Sequence, residues 1–386
     1  MIDLHTVKYM CSVGEMGFGK MYYIPIYLFM FILYNVVVRV IINDLSEPKR
    51  DTNGDILWTW SYPNVTDEER NFFLKKCQSA LTSDVVTPFW YSQWRKSWYY
   101  IYTCATSEGD NVPKVTHLSL VLMTKDFNPE KYEVLCKILS KRYRKTGNPA
   151  AMLELYLHVI TRGSCATDEN GRFSVRDFDS KRAFINSKLK EIVTTFGLET
   201  ILIYTALLLK KRVAVYYPQN QLEQLLQFIR SLPAFVWHRQ NWDIAYPYVE
   251  LDELDDLFQK SSYIAGFTDA SVEGRTDLYD IFVNPTTSQI ITASHAKESF
   301  AMGKLHKDTA IFMVQSAEKD DVTDEQLIKE IASKTRELIN NLKSLMVTGE
   351  DNKQYITLEV LRERKMTPAT ENFLFSLAAC EGLVQM

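Results

Sequence analysis

The string RVAVYY at Arg212–Tyr217, stopped by Pro218, governs how the second half of this chain can fold. A strand that is apolar on both of its alternating faces must be covered on both, whereas a solvent-facing strand alternates polar with apolar. Helical patterns flank it, over Phe184 to Phe196 and Leu198 to Leu209 before it and Leu222 to Leu232 after it. Helix, buried strand, helix is the order of a parallel sheet layered between helices. Further strands are predicted at Tyr263 to Thr268, Leu278 to Val283 and Gln289 to Thr292, and helices at Ala296 to Ala317, Thr323 to Leu345 and Ala369 to Leu383. The fold class is α/β.

The first half reads differently. VVVRVIIN at Val36 to Asn43 is a core strand, and Asn53-Gly54 in the turn Asp51 to Gly54 tolerates the positive φ of a hairpin reversal. The partner strand is Ile56 to Tyr62, ended by Pro63. Thr66 with Glu69 three residues on forms a capping box for the next helix. Strands follow at Ser97 to Cys104 and Lys114 to Thr124. Asn128-Pro129 then opens a helix with Tyr132, Leu135, Leu139 and Tyr143 at helical spacing. Its basic end, Lys141 to Lys145 before Gly147, suits either a solvated helix terminus or an acidic lipid surface. A helix from Pro149 to Thr161 closes this half. The polar, aperiodic stretch Gly163 to Ser180 reads as a linker, so residues 36–162 form one module and those from 181 onward a second lobe.

Residues 1–35 form a hydrophobic extension. Met21 to Val38 (MYYIPIYLFMFILYNVVV) approaches the apolar length that spans a bilayer, but Pro25 and Asn35 interrupt it and no small-residue cleavage site follows. A membrane anchor and a variable leader ahead of the Val36 strand both remain open. Gly14 to Lys20 fits the spacing of a phosphate-binding loop. The next residue is Met21, where a magnesium-binding hydroxyl is needed, and the following aromatics and Pro25 present no helix N-terminus. Nucleotide binding there is not expected.

Elsewhere chemistry is scarce. A net charge of -4 supplies no cationic surface for nucleic acid. The six cysteines have no paired close spacing, so neither a zinc knuckle nor a redox pair forms from neighbours, and a reducing compartment fits. No histidine has metal-ligand spacing, and there is no G-x-S-x-G elbow. His117 on a strand and His158 on a helix read as core histidines. The acidic run Glu250 to Asp256 (ELDELDD) can bind a divalent ion, but Leu251, Leu254 and Leu257 make it read better as the charged face of a short helix. No catalytic residue, metal site or cofactor is expected. The 12% aromatic content fits large buried surfaces or a recognition face.

Several strings resemble the DENN-domain proteins, and within them the smallest, DENN-only branch. They are DTNGDILWTWSYP (Asp51 to Pro63), TKDFNPEKY (Thr124 to Tyr132), LLLKKRVAVYYP (Leu207 to Pro218) and LPAFVWHRQNW (Leu232 to Trp242), followed by DLYDIFVN (Asp277 to Asn284), AMGKLHK (Ala301 to Lys307) and PATENFLF (Pro368 to Phe375). They run in order from Asp51 to the C-terminus. The resemblance implies a longin-like N-terminal module, a mixed sheet with helices, over 36–162. It implies a larger α/β and helical C-terminal lobe, with a cDENN-like module at 181–318 and a helical dDENN-like module at 319–386. It further implies a regulator of endosomal traffic that binds a Rab-type small GTPase between its lobes and promotes GDP/GTP exchange. That protein would be cytoplasmic and recruited to late endosomes, touching membrane through partners or weakly through its N-terminal segment. The alternative is a non-catalytic scaffold subunit of a Commander-type endosomal recycling assembly. Exchange needs no nucleophile or metal, only a surface that binds the nucleotide-free GTPase best.

Two groups are candidates for partner binding. Trp58, Trp60 and Tyr62 share one face of their strand, and that face either packs on its own lobe or meets the GTPase. Lys210, Lys211 and Arg212 sit at the rim of the buried strand, where they either pair with acidic switch residues or cap the preceding helix.

Overall fold

The computed structural model describes residues 36–44, 55–82, 87–113, 115–167, 171–348 and 354–385. The apolar leader, the Gly14 to Lys20 motif and the Asp51 to Gly54 turn lie outside the described residues.

Five antiparallel strands form the first sheet, in the order β2-β1-β5-β4-β3. They are β1 (Val36–Asp44), β2 (Asp55–Tyr62), β3 (Phe89–Trp94), β4 (Ser97–Ala105) and β5 (Val115–Thr124). β1 pairs along its length with β5, from Val36 opposite Thr124 to Asp44 opposite Val115, and its other edge takes β2. Helix α1 (Asp67–Thr82) starts at the expected capping box: the Thr66 amide donates to Glu69 at 2.9 Å and the Glu69 amide donates to Thr66 Oγ1 at 3.2 Å.

Strand β3 escapes the sequence reading for a specific reason. It joins β4 through a two-residue turn, Trp94 opposite Ser97, whose central residues Arg95 and Lys96 both have positive φ, 50° and 59°. Such turns usually carry Asn or Gly, because a side chain there costs roughly 1 kcal/mol per residue. Burial of Trp90 and Tyr91 on the strand outweighs that cost, at about 2 kcal/mol or more for each large side chain.

Consecutive residues of β4 show how the sheet is layered. Tyr99 meets Phe72 and Phe73 of α1, whereas Tyr100 stacks at 4.4 Å on Tyr132 of α2 (Pro129–Thr146). Neighbouring strand residues point to opposite faces, so α1 and α2 cover opposite sides. Helix α2 begins where Asn128 Oδ1 accepts the Lys131 amide and ends at left-handed Gly147. Helix α3 (Pro149–Arg162) packs beside it. The stretch expected as a linker contains a hairpin, β6 (Ser164–Ala166) with β7 (Arg172–Ser174), that buries Cys165 and Phe173.

The second sheet has the order β12-β11-β8-β10-β9. β8 (Arg212–Tyr216) lies at its centre, parallel to both β10 (Tyr263–Phe267) and β11 (Ile281–Asn284), and β10 is parallel to the short β9 (Ala245–Tyr246). β12 (Gln289–Thr292) closes one edge antiparallel. The expected parallel sheet under helices is therefore present, with one reversed edge.

The long helix expected over Phe184 to Phe196 is instead two, α4 (Ser180–Ile185) and α5 (Leu189–Phe196). The break falls where the Lys188 amide turns to Ser231 Oγ at 2.8 Å. α6 (Thr200–Leu208) and α7 (Leu222–Ser231) flank β8 in sequence, and α8 (Asp255–Phe258) is one short turn. The helix expected from Ala296 begins later, as α9 (Lys304–Ala317), after a 3₁₀ segment. α10 (Asp324–Lys343) and α12 (Pro368–Cys380) lie close to the sequence expectation. The small hairpin β13 (Val347–Thr348) with β14 (Gln354–Tyr355), and α11 (Leu358–Glu363), do not appear in it. His117 and His158 are half-buried rather than core residues.

Candidate functional site

The single aromatic face expected of β2 is split: a bulge at Thr59 sets Trp60 and Trp58 opposite consecutive residues of β1, Val40 and Ile41, so Trp58 lies on the opposite side of the sheet from Trp60 and Tyr62. Trp58, Trp60 and Tyr62 are half-buried, and Leu57 is 49% exposed. Trp60 stacks on Tyr62 with ring centres 6.4 Å apart, and the Arg70 guanidinium of α1 sits 5.5 Å over the Trp58 ring. Each ring keeps a solvent-facing part, that of Trp58 on the α1 side of the sheet and those of Trp60 and Tyr62 on the α2 side.

Lys210, Lys211 and Arg212 diverge. Lys210, in the left-handed region at φ 48°, sends its ammonium to the Cys380 carbonyl at the end of α12, 2.6 Å away. Arg212 is held by Asp280, 3.0 Å from Oδ1, and donates to the Asp277 carbonyl at 2.6 Å. His295 joins them at 2.9 Å from Asp280 Oδ1. Burial favours protonated Asp280, but the Arg212 and His295 hydrogen bonds prevail and hold its carboxyl below the usual carboxylate range. As expected, the Lys210 and Lys211 amides cap the preceding helix, α6, donating to the Leu207 and Ala206 carbonyls at 3.3 and 2.8 Å, and a residue from farther along the chain adds a second cap. Arg239 donates to the Leu207 and Leu208 carbonyls at 2.7 Å each and pairs with Glu381. Burial opposes ionisation of Glu381, yet the hydrogen bonds from His238 and Arg239 pull its carboxyl down to about 2. Capping across 31 residues leaves no local spacing signal.

Among the described residues, an extended polar constellation forms a seam between the two sheets. The edge strand β3 meets the β9 region: the Tyr248 amide donates to Ser92 Oγ at 3.1 Å, Gln93 Nε2 to the Trp242 carbonyl at 3.3 Å, and the Arg95 amide to Asp256 at 2.7 Å. Trp90 packs edge-on to Tyr248, and Phe127, Phe184 and Trp242 stack on one another. At one end Arg230, 5% exposed, clamps Glu130 at 2.8 Å and the Ala183 carbonyl at 2.6 Å. Burial again works against the Glu130 charge, and the Arg230 contact lowers its carboxyl regardless.

At the other end lies the acidic run. Its side chains do not form the charged face of a helix, because only Asp255–Phe258 is helical. Glu250, Asp252 and Glu253 instead gather around two lysines of α1. Lys76, with a fully buried side chain, lies 3.3 Å from Glu250 and 2.5 Å from Glu253, under the rings of Tyr248 (4.9 Å) and Phe72 (5.6 Å). Lys75 pairs with all three acids. Burial depresses its ammonium, but the Asp252 hydrogen bond and the Glu253 and Glu250 charges raise it above its ordinary value. The three carboxylates have oxygens within 4.8 Å of one another, a spacing that suits a divalent ion, but two ammonium groups already occupy their centre and balance two of the three charges. A cavity of about 20 Å³, lined by Phe72, Trp94, Tyr248 and Glu253, is what the packing leaves here. The resemblance strings contain the seam residues Phe127, Glu130 and Trp242. Nothing in their spacing marked them as partners.

Reactive chemistry is muted among the described residues. Burial pushes the Cys77 thiol up to about 12 and the Cys136 thiol far up, so neither is a nucleophile. Both basic histidine contacts are to structural ion pairs.

Known proteins align with this architecture. A family model described as "SPA: Stabilization of polarity axis" matches residues 186–294, which take in the whole second sheet. DENN domain-containing protein 10 of Danio rerio is 46% identical over 340 residues, 88% of this chain and 96% of the relative. The Homo sapiens protein of that name is 45% identical over 341 residues, with 88% and 95% covered. This chain belongs to the DENN domain-containing protein 10 family. A more distant relative of the same name, from Dictyostelium discoideum, keeps 37% identity over 353 residues, 87% of this chain and 96% of that one. The resemblance carried by the sequence strings thus extends over most of the chain.

Proposed function

We propose that this chain binds a Rab-type small GTPase and promotes its GDP/GTP exchange in endosomal membrane traffic. The observation that carries the reading is the seam. Two sheets of different construction are joined by buried ion pairs and stacked rings, giving a rigid surface made of both, with no catalytic group needed. In this reading residues 36–162 are a longin-like module, supported by the antiparallel order β2-β1-β5-β4-β3 with helices on both faces. Residues 163–180 are the connector, 181–318 a cDENN-like module and 319–386 a dDENN-like helical module. Because the seam is filled, the GTPase lies outside it, with the β2 edge of the first sheet, remote from the seam, as part of the surface. The half-buried rings of Trp58, Trp60 and Tyr62 along that edge, and Lys211, are the proposed contacts. The protein acts from the cytoplasm on late endosomes.

An exchange factor stabilises the nucleotide-free GTPase, and a ~10³-fold acceleration corresponds to about 4 kcal/mol of such differential binding. The test is release of a fluorescent guanine nucleotide from a panel of purified Rab proteins, with and without this chain. Accelerated release from one of them supports the proposal. Capture of a Rab, or of Commander-type subunits, with release rates unchanged across the panel would replace it with the scaffold role.

A further inference from the structure

The chain contains two Thr-Pro dipeptides, Thr87-Pro88 and Thr367-Pro368. Thr87 is half-buried at the entrance to β3, whereas Thr367 and Pro368 are both exposed. The proline holds Thr367 extended, at φ -68° and ψ 147°, the conformation in which a substrate strand lies along a kinase cleft. Three exposed cations, Arg362, Arg364 and Lys365, lead into it. The hydroxyl is not committed to its own helix. Its side chain makes no capping bond to the backbone and shares one hydrogen bond, with Thr370 Oγ1 at 2.9 Å.

We propose that Thr367 is a phosphorylation site for a proline-directed serine/threonine kinase using ATP. In the transfer, Thr367 Oγ1 bonds to the γ-phosphorus as the bond from that phosphorus to the ADP oxygen breaks. ADP leaves, and the hydroxyl proton passes to the kinase's catalytic carboxylate. The site is accessible without unfolding the chain, since residues 362–365 and 367–368 are all exposed. The product is also tolerated. The new phosphate stands at the positive end of the thirteen-residue α12, beside the Ala369 amide and within reach of the Arg364 and Lys365 leader. It cancels most of the net positive charge that Arg362, Glu363, Arg364 and Lys365 give this face, the kind of change that alters which partner a surface accepts.

The experiment incubates the folded full chain with a purified mitogen-activated kinase and Mg-ATP, maps phosphate by mass spectrometry, and repeats it with Thr367→Ala, Thr367→Ser, Pro368→Ala and Thr87→Ala. A peptide spanning residues 360–374 serves as the accessible reference. Support is incorporation at residue 367 in the parent, Thr367→Ser and Thr87→Ala chains, its loss in Thr367→Ala, and at least a tenfold slower rate in Pro368→Ala. The phosphorylated chain is expected to melt about 1–2 °C higher. Modification of the peptide with the folded chain left untouched, or incorporation only after heating, overturns the proposal. A lowered melting temperature on phosphorylation overturns the assignment of the phosphate to the helix terminus.

Discussion

Replacing Lys76 with methionine removes one charge from the seam while keeping most of the side-chain volume. The lysine is fully buried, and Glu250 and Glu253 beside it are only 17% and 16% exposed, so the substitution strands carboxylates in a poorly solvated site. Breaking such a pair from one side typically costs about 3–5 kcal/mol. Lys75 stays within 3.3 Å of Glu250 and 3.5 Å of Glu253, which places the expected loss at the low end, about 3 kcal/mol. An unfolding entropy of ~2.1 cal/mol/K per residue over roughly 350 residues converts that to a fall of about 4 °C in melting temperature. Differential scanning fluorimetry at neutral pH reads it directly. Lys75→Met is the control, because Lys75 and Asp252 are 41% and 66% exposed; it should cost under about 1 kcal/mol. Adding Glu253→Gln to Lys76→Met removes half of the stranded charge and should restore about 2 °C, a coupling that independent sites do not show. A Lys76→Met protein melting within about 1 °C of the parent, or a double variant that loses the sum of the two singles, refutes the claim that this pair holds the sheets together.

Other expectations follow from the same geometry. Arg239→Ala leaves the Leu207 and Leu208 carbonyls and Glu381 without their guanidinium, and a loss of about 3 kcal/mol is expected in urea denaturation. Because Glu381 is depressed to about 2 in the fold, its contribution is full above the ordinary carboxylate value near 4.5 and fades as pH falls toward 2. The gap between parent and Arg239→Ala should therefore narrow between pH 5 and pH 3; a constant gap refutes the assignment. His306 is buried with its Nδ1 accepting the Gly303 amide at 3.1 Å, and burial lowers its imidazole below the usual 6.5. Its stabilising effect is present above pH 6.5 and lost on acidification, so the parent's melting temperature should drop between pH 7.5 and 5.5 more than that of His306→Gln. Phe184→Ala removes one ring of the stack with Phe127 and Trp242 and should cost about 3 kcal/mol, read by the same melt; an unchanged melt would mean that the stack is incidental.

Local chemistry was enough for much of this protein. Thr66 with Glu69, Asn128 before Pro129 and Gly147 after the last turn specify helix ends through neighbours three or four residues away, and each acts as its spacing says. The uninterrupted apolar run of β8 announces burial on both faces, and a parallel sheet follows from the helices around it. What the chain did not disclose depends on residues brought together from far apart. β3 turns on Arg95 and Lys96, whose positive φ values are tolerated only because Trp90 and Tyr91 are buried by the rest of the fold. Arg239 caps a helix 31 residues upstream, and the acids read as a helix face are instead ligands for lysines 177 residues away. Helix caps and strand patterns are short-range contests between a side chain and its own backbone, so sequence spacing determines them. Ion pairs across a seam exist only once two separately patterned sheets have docked, and that docking, set by shape and desolvation, belongs to the tertiary structure alone.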